Sequence, residues 1–540
     1  MRRLPRRSAC GDLPGGTAFA ADEAVEDGNE VLPVRSSLTC WAERVEEMGG
    51  ASDRARTPSH PRDHRWHGRG RGPIKRERHR AGVRFRPQPA DEGGDLLLEQ
   101  LFDYEARGLR RLHLPAHGGG ARIAGSGRLK VAYRIDLTEV SGLDDWAAPR
   151  GILHDAQARA AQAYGLDEAW FLTGGSSQGL TTALLAVLDP FDTLLVHRSV
   201  HRSVLHGLLM TGAAPFFVAD VWDKTFGLAY PDVQALACEV RRLRPRAVLV
   251  TYPTYQGLAP SLEDLTLACK QTGTILIVDS AHGAHFGRGQ LPPMASVFSP
   301  DLVVYGMHKS GGALTPASLL GRIGNRVDPV RLDAARRLVG TSSPSYPVMA
   351  SIDLAVWNLM RSGDLLTERS AKVLRPLRGH AVFVPPAGVP QDPTRRVISA
   401  RLGSVPTGDV LRSMGVVPEY VSPVHALLYA PLGSRPLPRT MASTVSVAGP
   451  PEGTHQAPHF EEARMTPREA FFRKPAWVPL DRARGRTAWG LVALSPPGVP
   501  LLWPGEPVTE WAIDEARRSL EGAGSVLGVG DGGEVAVIDE

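Results

Sequence analysis

The sequence predicts an α/β protein with a three-layer αβα large domain, built on a mainly parallel sheet, and a smaller C-terminal α+β domain. Short apolar runs that end in polar or glycine residues are typical of buried strands, and they recur as DTLLVHRS, APFFVAD, RAVLVTYPT, TILIVDSAHG and DLVVYGMHKS. Helical patterns such as LHDAQARAAQAYG and SLEDLTLACKQTG accompany them. A strand, helix, strand repeat favours a parallel sheet, and such sheets bind ligands at the carboxyl ends of their strands.

Composition divides the chain into three segments. Residues 1–92 are predicted to be a disordered basic extension, because they are rich in Arg, Pro, Gly and His and carry little apolar periodicity. A nucleic-acid-binding arm and a misassigned start codon are the alternatives for this segment. Residues 93–372 are predicted to form the large domain and 373–540 the C-terminal domain, in which 434–463, rich in Pro, Gly and Ser, is a loop or linker.

Composition also narrows the class of protein. No run reaches the roughly 18 apolar residues of a membrane span, and the arginine-rich start lacks the apolar block of a secretory signal. We therefore expect a soluble protein of the cytoplasm. The four cysteines, Cys10, Cys40, Cys238 and Cys269, show no paired spacing, so neither a metal site nor a disulfide framework is predicted.

The strongest candidate constellation pairs Asp279, at the end of ILIVD, with Lys309, just after LVVYG. Neighbouring parallel strands would deliver both side chains to one edge of the sheet. A carboxylate there can keep a pyridine nitrogen protonated, and a lysine can form a Schiff base with an aldehyde, which are the two requirements of pyridoxal phosphate. Because Asp at strand ends and Lys in loops are common, this spacing alone leaves an ordinary structural role open.

Two further patterns surround this pair. The turn GGSSQ, at Gly174–Gln178, precedes an apolar helix and exposes amides and hydroxyls at a helix N-terminus, where the dipole favours a phosphate; a simple helix cap is the alternative. Histidines, which can stack on an aromatic ring or relay protons, cluster at the predicted strand ends. They are His197, His201, His282, His285 and His308.

Several ordered motifs resemble the bacterial ornithine/lysine/arginine decarboxylase family. They include HRSVHRSVLHGLLMTGA, PTYQG, VDSAHGAHF, MHKSGGALTPASLL, TSSPSYPVMASIDLA and SPPGVPLLWPGE, and the resemblance covers roughly residues 95–540. It implies the fold-type-I architecture of aspartate aminotransferase, with pyridoxal 5'-phosphate as cofactor. The HGAHF form is similar to the short biosynthetic type, which lacks an N-terminal wing domain.

The resemblance also implies a role for each matching residue. Lys309 would form the Schiff base, Asp279 would pair with the ring nitrogen, and His201 and Ala281 would pack on the two ring faces. Thr341 would reach in from a neighbouring subunit, which implies a homodimer or an assembly of dimers. The expected catalytic residues are Lys309, His201, Asp279 and His308. The expected cofactor-binding residues are Ser176, Ser177, Gln178, His201, Asp279, Ala281, His282, His308, Lys309 and Thr341.

The chain departs from the family pattern at several motif positions. Gly306 stands where a Ser is usual before His-Lys, and Pro316 replaces a Gln. Gly118 replaces a Lys, Gly490 stands where a Glu is common, and Ser495 replaces a Tyr. These departures weaken the assignment of the substrate more than that of the cofactor.

The function expected from this resemblance is α-decarboxylation of arginine, lysine or ornithine to the corresponding amine and carbon dioxide, as in polyamine metabolism. The candidate proton donors to Cα are Lys309 and His308. Because fold and cofactor do not determine which bond breaks, an aminotransferase or another lyase is an alternative. A catalytically inactive paralogue with a regulatory role is another, and Gly306 is its best support.

Overall fold

The structure is a computed structural model that describes residues 96–120, 127, 129–402, 404–448, 455–495, 498–521 and 525–539. The predicted basic extension, 1–92, lies outside the described residues. Among the described helices, none combines the length and the apolar character that a membrane crossing requires.

The large domain is built on a central sheet whose order is β1-β9-β8-β7-β6-β2-β3. Strands β8, β7, β6, β2 and β3 run parallel, and β9 is antiparallel to both of its neighbours. Residues of β6, β7, β8 and β9 are buried almost throughout, as expected of strands covered on both faces, whereas those of the edge strand β3 are mostly half-buried. The strands of this part are β1 (Glu168–Leu172), β2 (Thr193–His197), β3 (Ala214–Val218), β4 (Val221–Asp223), β5 (Leu228–Tyr230), β6 (Ala247–Thr251), β7 (Ile275–Ser280), β8 (Leu302–Tyr305) and β9 (Ser318–Arg322).

Helices connect these strands and cover the sheet. One of them, α4, packs against the middle of the sheet, where a Cβ at Gly179 would lie 2.8 Å from Val304 Cγ1 of β8. The helices of this part are α1 (Leu97–Ala106), α2 (Lys130–Ile135), α3 (Ile152–Tyr164), α4 (Gly175–Val187), α5 (Val204–Thr211), α6 (Val233–Leu243), α7 (Glu263–Thr272), α8 (Pro329–Val339) and α9 (Tyr346–Leu374).

Beyond α9 the chain forms small antiparallel sheets with two separate hydrophobic clusters, one within 373–448 and one within 480–537. The sheets have the orders β10-β14-β13, β11-β12, β15-β19 and β17-β16-β18. The elements are β10 (Arg395–Ser399), β11 (Arg401–Leu402), β12 (Val405–Pro406), α10 (Thr407–Ser413), β13 (Tyr420–Val421), β14 (His425–Tyr429), α11 (Arg439–Val447), α12 (Pro467–Phe471), β15 (Pro475–Pro479), β16 (Val492–Ser495), β17 (Val499–Leu502), α13 (Glu510–Glu521), β18 (Ser525–Leu527) and β19 (Glu534–Ile538).

Helix α11 corrects the interpretation of 434–463 as a loop or linker throughout. Met441 and Val445 are spaced i, i+4, so they lie on one face of the helix, and both are fully buried in the first C-terminal cluster. Residues 455–463 do lack regular secondary structure. The Ser and Thr content of the segment therefore concealed a short amphipathic helix.

A buried ion pair ties the C-terminal part to the edge of the central sheet. Arg198, just after β2, donates from both terminal nitrogens to the carboxylate of Glu506, and each side chain is 5% exposed. The guanidinium also lies 3.9 Å from the ring centroid of Phe460 and 4.8 Å from that of Phe217. This contact holds the C-terminal residues over the carboxyl ends of the parallel strands.

Close packing of α5 on α4 generates a stability prediction. A Cβ at Gly207 would lie 2.4 Å from Leu184 Cδ1, so Gly207→Ala should lower the free energy of unfolding by about 1–3 kcal/mol, as overpacking does. Gly408→Ala in α10 is the matched control, because its Cβ would meet nothing closer than 3.5 Å. Urea unfolding of the full chain measures both variants. Equal losses of stability in the two would contradict the close contact.

Candidate active site

Asp279 lies at the carboxyl end of β7, beside Thr251 of β6 and Val304 of β8. It is buried, and its Oδ1 accepts a hydrogen bond from the Ala281 backbone N–H at 3.1 Å. Burial raises the pKa of this carboxyl group, although nearby Lys309 counteracts the rise. A buried carboxylate of this kind stabilises a protonated partner, and the positive charge of Lys309 alone does not offset its desolvation.

Lys309 follows β8 on a single π-helical turn, Met307–Gly311. Its Nζ lies 3.3 Å from His282 Nε2. Burial lowers the pKa of the Lys309 amine, while the Asp279 carboxylate raises it. Lys309 and Asp279 line one cavity of about 870 Å³, so the strands do bring the predicted pair to the same edge of the sheet.

Most of the predicted site residues line this same cavity. At one end the helix N-terminus of α4 contributes Ser176 and Ser177. The Ser176 hydroxyl is buried and has no hydrogen-bond partner among the described residues, so it is available to a ligand. The predicted residues that line the cavity are Ser176, Ser177, His201, Asp279, Ala281, His282, His308 and Lys309.

Gln178 and Thr341 lie elsewhere. Gln178 Oε1 accepts a hydrogen bond from the Gly174 backbone N–H at 2.8 Å, which turns the side chain back over the start of α4. Both residues line a second pocket, beside Ser177. Within one chain, therefore, Thr341 reaches the outer side of the phosphate-type turn and not the cavity.

His201 occupies the wall of the cavity just beyond β2. The Ser203 backbone N–H donates to its Nδ1 at 3.2 Å, which assigns the ring proton to Nε2. Burial, and then the positive charge of Lys309, lowers the pKa of His201 to about 3, so the ring is neutral at physiological pH. A Cβ at Gly498 would lie 3.4 Å from Nε2, so the backbone of the C-terminal part covers this ring.

His308 precedes Lys309 and has the opposite tautomer. Its Nδ1 lies 2.8 Å from the Ala317 carbonyl oxygen and donates to it, so Nε2 carries the lone pair. Burial lowers the pKa of His308, and the Ala317 contact raises it in part. At neutral pH its Nε2 is therefore an acceptor and not an acid.

Two departures from the family pattern lie against the phosphate-type turn. A Cβ at Gly306 would lie 2.4 Å from the Ala281 carbonyl oxygen and 3.1 Å from Ser176 Oγ. Pro316 lines the cavity and packs against Gly175, where a Cβ would be 3.6 Å away. The Ala281 carbonyl oxygen and the Ser176 hydroxyl therefore leave no room for a side chain at position 306 in this chain.

Sequence reasoning missed two acidic residues of the C-terminal part that line the cavity. Glu419 and Glu515 line it, whereas Gly490, which stands where the family commonly has Glu, does not. The Tyr255 hydroxyl donates to Glu419 Oε1 at 2.6 Å. Burial raises the pKa of the Glu515 carboxyl group, and Arg518, 2.7 Å away, counteracts this. No pattern in the sequence marked Glu419.

The tight contact at Gly306 generates a prediction about the cofactor site. Gly306→Ser restores the usual family residue, yet we expect it to weaken cofactor binding and to lower the free energy of unfolding by about 1–3 kcal/mol, because the new Cβ displaces the Ala281 carbonyl. Fluorescence titration with pyridoxal phosphate and urea unfolding measure the two effects. A serine variant that binds the cofactor more tightly and unfolds at the same urea concentration would contradict it.

Comparisons with known proteins agree with this geometry. Residues 96–380 match the family model described as the Orn/Lys/Arg decarboxylase major domain, and residues 453–516 match that of the C-terminal domain of the same family. The chain is 29% identical over 453 residues to an arginine decarboxylase of Bacillus subtilis, which covers 78% of this chain and 92% of that protein. It is 27% identical to an arginine decarboxylase of Bacillus anthracis over 81% of this chain and 95% of the relative.

The fold is likewise shared with solved structures. Lysine decarboxylase A from Pseudomonas aeruginosa superimposes with a TM-score of 0.69 at 20% identity, covering 82% of this chain and 80% of that chain. The lysine decarboxylase LdcF of Francisella novicida gives a TM-score of 0.66 at 18% identity, covering 82% and 81%. The predicted fold class is thereby confirmed. With its major and C-terminal domains both matched, the chain belongs to the Orn/Lys/Arg decarboxylase family.

Proposed function

We propose that this chain uses pyridoxal 5'-phosphate to remove the α-carboxylate of a basic L-amino acid, releasing carbon dioxide and an amine. The observation that carries the proposal is a single cavity lined by the Lys309 amine, the buried Asp279 carboxylate and further carboxylates. The names of the Bacillus relatives make arginine the first substrate to test. Lysine and ornithine are the other members of the same substrate class.

The residues of the cavity fit this cofactor. The unpartnered Ser176 hydroxyl and the N-terminus of α4 would hold the phosphate, because a helix N-terminus attracts anions. Asp279 would hold the proton of the pyridine nitrogen, and Lys309 would hold the aldehyde carbon. When bound, the cofactor supplies a ring that accepts the electron pair of the broken bond.

The remaining residues orient the reactants and move protons. His201, with a neutral ring, and Ala281, with a small methyl group, both line the cavity and would pack on the two faces of the cofactor ring. His308 is a poor candidate to return a proton to Cα, since at neutral pH its Nε2 carries a lone pair and its Nδ1 proton is committed to Ala317; Lys309 would return it from its protonated form.

Glu419 would receive the positive charge at the end of the substrate side chain, because Glu515 is already paired with Arg518 at 2.7 Å. The other acid on the wall, Asp220, is already committed, because it contacts His197 Nδ1 at 3.1 Å and accepts from the Ser199 backbone N–H at 2.8 Å. Oε1 of Glu419 accepts a hydrogen bond from Tyr255, and Oε2 would accept one from a ligand. A guanidinium or ammonium group suits such carboxylates.

We also propose that the enzyme acts in the cytoplasm as a homodimer or an assembly of dimers. Exposed apolar side chains lie near the second pocket, including Met210 within its lining and Leu338 beside it, at 45% and 70% exposure. Such side chains suit a contact with a second copy. That copy's Thr341 would be available to a shared site.

The direct test is product analysis on the purified protein supplied with pyridoxal phosphate. We expect carbon dioxide and an amine, namely agmatine, cadaverine or putrescine, from at least one of arginine, lysine and ornithine. Mass spectrometry identifies the amine. An oxo acid in place of an amine would indicate amino-group transfer, and the absence of both product and bound cofactor would indicate an inactive paralogue; either result refutes the proposal.

Substrate recognition generates a second prediction. Glu419→Gln removes the charge that faces the substrate but keeps the size of the side chain. A hydrogen bond to a charged group is worth about 1.5–3 kcal/mol, so kcat/KM should fall roughly 10- to 100-fold, mainly through KM. Glu510→Gln, at an exposed carboxylate outside the cavity, is the control and should leave kcat/KM unchanged. Equal kinetics in both variants would remove Glu419 from the binding site.

A further inference from the structure

His282 lies between Lys309 and an arginine of the C-terminal part. Its Nε2 is 3.3 Å from Lys309 Nζ, and its Nδ1 is 3.3 Å from Arg395 Nη2. A second nitrogen of Arg395, Nη1, donates to the His282 carbonyl oxygen at 3.3 Å. The edge of the Tyr255 ring meets the imidazole at a centroid distance of 4.5 Å. One imidazole therefore links the reactive lysine to the first residue of β10.

The chemistry of the donors determines where the imidazole proton lies. A guanidinium group has only donors, so Nδ1 of His282 must accept from Arg395 and cannot carry a proton. The remaining proton of the neutral ring then lies on Nε2. Burial, followed by the charges of Lys309 and Arg395, lowers the pKa of His282 well below its usual value, which excludes a doubly protonated ring at neutral pH. The Nε2–H group points at Lys309 Nζ, which accepts this bond only as a neutral amine.

Arg395 is held in place from the side away from the cavity. It is buried and does not line the cavity, whereas His282 does. Asp392 accepts from Arg395 Nη1 at 3.1 Å and contacts His285 Nε2 at 3.0 Å. Despite burial, these contacts hold the pKa of Asp392 far below its usual range, so it remains an anion. Arg395 is thus a buried cation that is paired with the Asp392 carboxylate.

A glycine in the loop after β6 allows Asp392, the partner of Arg395, to pack closely against the large domain. Gly257 has a φ of +88°, and a Cβ there would lie 2.8 Å from Asp392 Cβ. The Asp392 backbone N–H donates to the Gly257 carbonyl oxygen at 2.8 Å. The contact fixes the start of β10 against the loop after β6, and so it fixes the position of the guanidinium relative to β7.

The charges around Lys309 act in both directions. Asp279 and Glu419 favour the protonated amine, whereas burial and the charge of Arg395 favour the neutral amine. His282 and His201 are the uncharged groups that face it, since burial keeps both rings neutral. The balance lowers the pKa of Lys309, in agreement with the direction of the His282 hydrogen bond.

We propose that Arg395 is a positioning residue: by donating to Nδ1 of His282 it fixes the Nε2–H tautomer, which keeps the Lys309 amine neutral through a hydrogen bond that its lone pair must release before it can attack an aldehyde. The inference rests on the proposed function, in that the aldehyde is that of pyridoxal phosphate. In the capture step the nitrogen lone pair attacks the aldehyde carbon. The nitrogen then loses its two protons and the carbonyl oxygen leaves as water, so no oxidant or reductant is needed.

The tautomer can be read directly by ¹⁵N NMR of the full chain labelled at histidine. The His282 signals are assigned by their loss in His282→Phe. We expect an unprotonated Nδ1 and a protonated Nε2 in the native protein, and a changed pattern in Arg395→Gln. A proton on Nδ1 of His282 in the native protein would overturn the inference without recourse to any variant, whether or not the protein proves to be a decarboxylase.

The rate of cofactor capture gives a second readout. The full chain freed of cofactor is mixed with pyridoxal phosphate, and the visible absorbance is followed as a function of pH. Loss of a nearby cation raises the pKa of an amine, so the midpoint of the capture rate should move up by about one pH unit in Arg395→Gln, with up to roughly 10-fold slower capture below the midpoint.

Arg326→Gln is the matched control for this measurement. Like Arg395→Gln, this substitution removes the arginine that pairs with a buried aspartate, here Asp301 at 2.5 Å. Arg326 itself does not line the cavity. We expect a loss of stability in both variants and a shifted pH midpoint only in Arg395→Gln. Equal midpoints in the two would assign Arg395 a purely structural role. If no protein captures the cofactor, the proposed function fails, and the NMR result alone decides the tautomer.

Discussion

The site depends on the burial of a carboxyl group and an amine at one edge of a parallel sheet. Asp279 ends β7 and Lys309 follows β8, so adjacent strands deliver both groups to the same cavity. Burial works against both charges, raising the pKa of the carboxyl group and lowering that of the amine, while each partly offsets the effect on the other. Pyridoxal phosphate would remove this electrostatic conflict, because its protonated ring nitrogen would pair with the carboxylate and its aldehyde carbon would bind the amine.

The C-terminal part completes the site that the sheet begins. Arg198 and Glu506 hold it over the strand ends, Gly498 covers His201, and Glu419 adds a carboxylate to the cavity lining. Arg395 adds a cation just outside the cavity wall. Without these residues at the carboxyl edge, Lys309 and Asp279 would face a shallower cavity.

Local patterns predicted the sheet and the residues at its strand ends, because a strand's period and the polar residue that follows it are contiguous in sequence. Residues such as Glu419 and Arg395 could not be predicted in this way: they come from the far part of the chain, and only packing brings them to the cavity. Helix α11 was missed because only Met441 and Val445 mark its apolar face. Thr341 stays a prediction that requires a second subunit.

The central claim is that Lys309 carries the cofactor, and the most direct measurement is to map the attachment point. Reduction of the holoprotein with borohydride makes the link between lysine and cofactor permanent, and peptide mass spectrometry then locates it. The account predicts the added pyridoxyl mass on the peptide that contains Lys309. The same mass on a peptide with another lysine, or on none, would contradict it.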